Sequence, residues 1–203
     1  SVQREGKRIK VVDAVVLQRD QVVSRASSVF LRRGVHPEGD VWTPPVTMPP
    51  VPDDAAASAL DMPFVLWAYG VDAQKGALGG TGIEWEQDHS RKFAWVREIR
   101  PLIEGDVTTP FTRVALAGDV TSALTHWGSG GLRYINTDFT VTLSRLPDGE
   151  FIGLASDGHQ GSDGVASGAA TLFDRHGPIG SSIAVALAQP AEAFRPPRHI
   201  GLR

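Results

Sequence analysis

The order of segments along the chain predicts an α+β fold, one long helix packed into an antiparallel sheet. Two observations carry that prediction. Asp106 to Gly128 reads as the single long helix, with Thr109 as N-cap, Pro110 at the favoured first position and Gly128, Gly130 and Gly131 as the stop. Behind it, four strand-like segments are separated by turn-forming clusters, which is a meander rather than a strand–helix alternation.

Lys7 to Leu17 reads as a strand, Arg19-Asp20-Gln21 as a polar turn and Val22 to Leu31 as its antiparallel partner. A lone hairpin is marginal in water, so this one needs a neighbour. Half of the 14 prolines then fall between Gly34 and Pro63, at Pro37, Pro44, Pro45, Pro49, Pro50, Pro52 and Pro63. Proline removes a backbone donor, so residues 34–82 are expected as a connector laid over a surface, with one short helical turn at Ala55 to Leu60. Lys92 to Ile99 is the next strand. Within the helix, Leu116, Val120, Ala123, Leu124 and Trp127 make a broad apolar stripe, and Ala115, Gly118 and Ser122 a stripe of small residues, which predicts burial on both sides. Leu132 to Leu146 follows, with Ile135, Phe139, Val141 and Leu143 on one face and Asn136, Asp138, Thr140, Thr142 and Ser144 on the other. The last three strands are Phe151 to His159, Val165 to Phe173 and Ile179 to Leu187. The turns are Pro147-Asp148-Gly149, Gly161-Ser162-Asp163-Gly164 and Asp174-Arg175-His176-Gly177.

Composition narrows the function. The chain has 203 residues, 41% of them hydrophobic and 21% charged, which is an ordinary globular balance. Its 20 Lys and Arg against 23 Asp and Glu make it a poor partner for a polyanion, so no nucleic acid is expected. No apolar stretch approaches membrane-spanning length. The absence of cysteine excludes disulfides, thiolate metal sites and a cysteine nucleophile, and goes with a cytoplasmic location. There is no G-x-S-x-G elbow and no phosphate-binding loop, and neither Gly80-x-Gly82 nor Gly128-x-Gly130 extends to a dinucleotide fingerprint. The six histidines show no metal-ligand spacing, so neither metal nor cofactor is expected.

Asp119 stands out because it is the only charged residue from Val114 to Leu132. Spacing leaves two readings open: a functional carboxylate beside the apolar stripe, or a half-solvated Asp at the helix edge. His126 lies two turns further on nearly the same face, where a lone histidine near a helix C-terminus is also a favourable dipole partner. Asn136 and Asp138 point away from the apolar face of their strand, which for Asp138 reads as simple solvation, while Asn136, closer to the strand start, has facing the end of the helix open to it.

Arg133-Tyr134-Ile135-Asn136-Thr137-Asp138-Phe139-Thr140-Val141, followed by Leu143-Ser144-Arg145, resembles the second repeat of double-hotdog acyl-CoA thioesterases, relatives of bacterial thioesterase II (TesB-like). Glu150 to Leu154, Asp163-Gly164-Val165, Thr171 to Asp174 and Gly177-Pro178-Ile179 continue the pattern in order. Ala115 to Asp119 is similar to the family's central helix with its acidic residue. Arg4 to Arg8 and the hairpin to Leu31-Arg32-Arg33 resemble the closing strands of a first hotdog. The resemblance implies a double-hotdog type of fold with an incomplete first repeat: residues 1–33 as its closing hairpin, 34–82 as connector, 83–189 as a complete second hotdog and 190–203 as a tail. Such a chain is expected to associate with further copies or to need the missing segment.

The implied function is hydrolysis of an acyl-CoA thioester by a positioned water. Carried over from the family, the carboxylate falls on Asp119 and the neighbouring hydroxyl or amide on Asn136. The family's Gln falls on Ala184, or on Val185 if the register slips by one, and neither side chain holds a water. His159 or Gln160 is then the auxiliary available from a neighbouring strand. The alternatives are a non-catalytic acyl-CoA-binding hotdog and a purely structural hotdog subunit.

Overall fold

The computed structural model describes residues 1–53, 64–70 and 90–190. The chain divides into two compact units, Ser1–Pro44 and Pro45–Arg203. The first is a three-stranded antiparallel sheet in the order β1 (Val2–Glu5), β2 (Ile9–Gln18), β3 (Gln21–Leu31). Arg19 and Asp20 both adopt positive φ, at 51° and 62°, so β2 and β3 meet through a two-residue turn of the type whose twist suits a hairpin. The strand β1 was not expected from the sequence, because Val2-Gln3-Arg4-Glu5 carries too little apolar pattern to read as one.

Among its described residues, the second unit holds a six-stranded, wholly antiparallel sheet and one helix. The strands are β4 (Phe64–Tyr69), β5 (Phe93–Glu98), β8 (Tyr134–Leu143), β9 (Ile152–Ser162), β10 (Val165–Asp174) and β11 (Gly177–Ala188). Their order across the sheet is β4-β5-β9-β10-β11-β8. A minimal ribbon of β6 (Trp127–Gly128) and β7 (Gly131–Leu132) turns the chain out of the helix. The helix α1 runs Pro110–His126, with the Thr109 side chain accepting from the Thr112 amide at the expected N-cap. It starts where that cap places it, and Asp106 and Val107, which the expected span included, lie before the cap.

β4 corrects the expected connector. Phe64–Tyr69 is apolar at every position, and it lines up with β5 as a buried strand although proline-rich sequence precedes it. Part of that proline-rich sequence does lie on a surface: Val46 and Met48 pack on the outer sheet face with Trp67, Tyr69, Trp95 and Phe173, and the Pro49 carbonyl accepts from Trp95 Nε1 at 2.9 Å. The helical turn expected at Ala55 to Leu60 lies outside the described residues.

The helix packs against the inner sheet face through Val114, Ala117, Val120 and Leu124, which meet Ile152, Leu154, Ala170, Leu172 and Ile179. Gly118 lets it come close: a Cβ there would sit 2.6 Å from Val141 Cγ2 and 3.1 Å from Phe139 Cε2. The expected burial holds for Val120 and Leu124 of the large stripe and for Gly118 and Ser122 of the small one, but not all round the helix. The sheet covers one side of the helix, while Phe111, Ala115 and Asp119 are exposed. Among the described residues no helix is long and apolar enough to cross a membrane.

Candidate active site

Two β-bulges build the site. In β8, Asp138 pairs with Val185 and Asn136 with Ala186, so Thr137 is an extra residue, its hydroxyl donating to the Val185 carbonyl at 2.9 Å. One extra residue swaps the faces of everything beyond it. Asn136, expected to point away from the apolar face, is thereby turned toward the helix with Phe139 and Val141. Ile135, expected inside, is turned out and half exposed. Asn136 Nδ2 then donates to Asp119 Oδ1 at 2.9 Å. Its Oδ1 is buried and has no partner. Asp138 stays exposed, as a solvated residue should.

The second bulge is in β9. Ser156 pairs with Ala170 and Gly158 with Ala169, leaving Asp157 as the extra residue. Its carboxylate accepts from Arg91 Nη2 at 2.6 Å and Thr171 Oγ1 at 2.7 Å, and Arg91 Nε donates to the Ser156 carbonyl at 2.7 Å. Beyond the bulge His159 faces the helix and meets its last residue, His126, Nδ1 to Nδ1 at 2.8 Å. The Tyr134 ring packs on both, with centroids 5.4 Å from His126 and 5.5 Å from His159. Tyr134 and Asn136 share a face of β8, so the Asp119–Asn136 pair and the Tyr134–His159–His126 cluster lie in one polar line on the helix side of the sheet. Small residues make room for it. A Cβ at Gly168 would strike the Thr125 side chain and lie 2.9 Å from His126 Cε1, and one at Gly161 would lie 3.1 Å from His159 Nε2 and 3.5 Å from the Tyr134 hydroxyl.

The electrostatics separate the two ends of this line. Asp119 is exposed, and among the described residues no cation pairs with it. His126 is only 4% exposed, and burial, together with the neighbouring His159, lowers its pKa from 6.5 to about 4. A neutral imidazole gains little from the helix dipole, so the dipole reading of His126 gives way to a buried, hydrogen-bonded one. Gln160 pairs with Ser167, which in turn pairs with Val185, on the outer face of the sheet, so strand alternation takes it away from Asp119 and it does not join the site. Val185 points outward with them, half exposed, whereas Ala184 and Ala186 face the helix with no exposure at all. Ala186, not Ala184, stands directly opposite Asn136, and Ala184 is opposite Phe139. Among the described residues no cluster of three or more metal-ligating side chains occurs.

One helix packed against an antiparallel sheet, as seen among the described residues, is the hotdog arrangement. Residues 45–188 match the family described as the acyl-CoA thioesterase C-terminal domain, and the chain belongs to that family. Among solved structures, it resembles the tesB protein of Mycobacterium avium subsp. paratuberculosis at a TM-score of 0.65 and 16% identity, over 94% of this chain and 70% of that one. It also resembles the acyl-CoA thioesterase II TesB2 of Mycobacterium marinum, at 0.61 and 16%, over 95% and 73%. A conserved hot dog fold protein of unknown function from Alicyclobacillus acidocaldarius aligns at 0.56 and 14%, over 93% and 70%. No curated protein matches.

Proposed function

We propose that the protein hydrolyses acyl-CoA thioesters to the free acid and CoA, with Asp119 as general base. The observation that carries this reading is the bulge at Thr137, which brings Asn136 onto Asp119 from a register that would otherwise turn it away. Asn136 Nδ2 fixes one carboxylate oxygen. A water donating one hydrogen to the exposed Asp119 carboxylate has a lone pair left for the thioester carbon. As its oxygen bonds to that carbon, the proton passes to Asp119; the C–S bond then breaks, CoA leaves as thiolate, and Asp119 returns its proton to solvent. The carbonyl oxygen needs donors as it becomes an oxyanion, and backbone N–H groups at a helix start would supply them. A thioester is activated, so this chemistry needs neither a covalent nucleophile nor a cofactor. A cytoplasmic setting, where acyl-CoA is available, goes with the reading. So does association that covers the exposed helix face around Phe111, Ala115 and Asp119.

Replacing Asp119→Asn removes the base and keeps the shape. The expected result is a loss of at least about a hundredfold in kcat on a panel of acyl-CoAs, with an unchanged urea midpoint. Unchanged turnover in the variant would remove Asp119 from the mechanism. One observation favours a second reading, a hotdog that binds acyl-CoA without cleaving it: Ala184 and Ala186 offer no hydrogen-bonding group on the strand facing Asn136. Under that reading the wild type binds a non-hydrolysable thioether analogue and hydrolyses none of the panel.

A further inference from the structure

The polar line does not end at Asn136, and its far end has a chemistry of its own. His126 and His159 share one hydrogen bond between their Nδ1 atoms, so one ring donates there and the other accepts. His126 Nε2 is buried without a partner. An N–H buried without an acceptor is a rarer and costlier arrangement than a buried lone pair without a donor. That places the His126 proton on Nδ1, donating to His159, and forces the His159 proton onto Nε2. His159 is exposed, and Gly161 leaves the space beside Nε2 open. A neutral, buried ring therefore orients an exposed one so that it presents a single N–H. The bulge at Asp157 exists in the same strand as His159 and is what turns that ring inward.

We infer that His159, held by His126, donates its Nε2–H to the sulfur of the departing CoA thiolate. The inference rests on the thioester-hydrolase reading above. The spacing suits it. Asp119 and His126 are seven residues apart on one helix, so the two ends of the line lie about 10 Å apart along its axis, and His159 packs on the His126 end. A base-bound water, the carbon it attacks and a sulfur within hydrogen-bond reach of a donor span about the same distance. As the C–S bond breaks, its electron pair goes to sulfur and the neutral His159 keeps its proton, its Nε2–H donating a hydrogen bond that stabilises the thiolate; the thiolate then takes a proton from solvent. The proton taken up by Asp119 is released separately, so the sum is thioester plus water giving acid plus thiol. Thiolates leave readily without help, so the assistance is modest, about tenfold. His126 is a positioning residue, because it touches His159 and not the sulfur.

The test varies the leaving group. His159→Ala and His126→Gln are compared with wild type on one acyl group carried by CoA and by 4-nitrothiophenol, whose thiolate is stable enough to need no such hydrogen bond. The expected result is about a tenfold loss in kcat for His159→Ala on the CoA ester and less than a twofold loss on the nitrothiophenyl ester, with His126→Gln showing the same selectivity. Equal losses on both esters would overturn the assignment and leave the pair a packing element. Should His126→Gln not fold, the exposed His159 variant decides alone. A wild-type protein that cleaves neither ester would sink the hydrolase reading itself, which is a different outcome from equal losses.

Discussion

Ala184 is where a single side chain decides most. It faces the helix, has no exposure, and lies between Gly168 and Phe139 in neighbouring strands. Gln placed there adds a donor and an acceptor two residues along β11 from the position opposite Asn136. If the protein is a hydrolase held back by an apolar wall, Ala184→Gln raises kcat. One added hydrogen bond to the water in a dry site is worth roughly 1–3 kcal/mol, or about five- to a hundredfold in rate. The gain belongs in kcat rather than KM, because the water matters most in the transition state. Overpacking opposes it at about 1–3 kcal/mol of stability, so turnover and urea midpoint are measured together, with Ala184→Leu as the size control. Equal turnover in the Gln and Leu variants would reduce the position to packing. At this scale the sequence was informative where a residue broke its surroundings: Asp119 was legible because nothing near it is charged. The His126–His159 contact was not, since 33 residues separate the rings and neither carries a spacing signal.

Among the elements, close approach of α1 to β8 depends on Gly118. The small-residue stripe announced such an approach, and the structure shows Val141 and Phe139 occupying the space a Cβ would need. Two effects compete in Gly118→Ala. Helix propensity favours Ala by about 1 kcal/mol. Against it, a contact of 2.6 Å to Val141 Cγ2 requires the strand or the helix to shift, at a cost of about 1–3 kcal/mol. The expected outcome is net destabilisation, read as a lower urea midpoint, together with lower activity because Asp119 is the next residue. Trimming Val141→Ala in the same chain should recover the midpoint relative to Gly118→Ala alone. A stabilised single variant would mean that the gap between helix and strand is wider than described. The meander, the turns and the N-cap were readable because each uses local chemistry: Thr109 and Pro110 at the helix start, Asp163 and Gly164 at positive φ in a turn. The bulges were not, because a period-two reading assumes an unbroken ladder, and one extra residue reverses every face beyond it. Parity therefore put Asn136 on the outward side, and only its place near the strand start pointed to the helix it meets. β4 was missed for a related reason, since proline density ahead of Phe64 masked a short, fully apolar strand.

For the molecule as a whole, the buried and paired titratable groups set the acid side of its stability. His126 is held neutral in the fold, with its pKa near 4 against 6.5 when unfolded. Between those values the unfolded chain binds more protons than the folded one, so stability falls as pH falls through that interval and the loss is complete below about pH 4. Asp174 acts in a lower window. It is 2% exposed, forms a bidentate pair with Arg145, and accepts from the Asp148 and His176 amides at 2.9 Å. Burial alone would raise its pKa; these partners outweigh that and hold it well below the usual carboxylate range. Its contribution is present above pH 3.8 and is lost as pH falls toward its folded pKa. The exposed Asp148 shifts the same way through Arg175 and His176, which screening makes a small effect. Acid unfolding is thus expected in two stages. Between pH 7 and pH 4 the urea midpoint of the wild type should drop, by about 1–2 kcal/mol in stability, and His126→Gln should be nearly flat over that interval. Below pH 4 both proteins should fall together, and Asp174→Asn, already destabilised at neutral pH, should fall less steeply. A wild-type midpoint that holds constant from pH 7 to pH 4 would show that His126 takes up a proton in the fold as readily as in the unfolded chain, and the buried neutral ring that orients His159 would go with it.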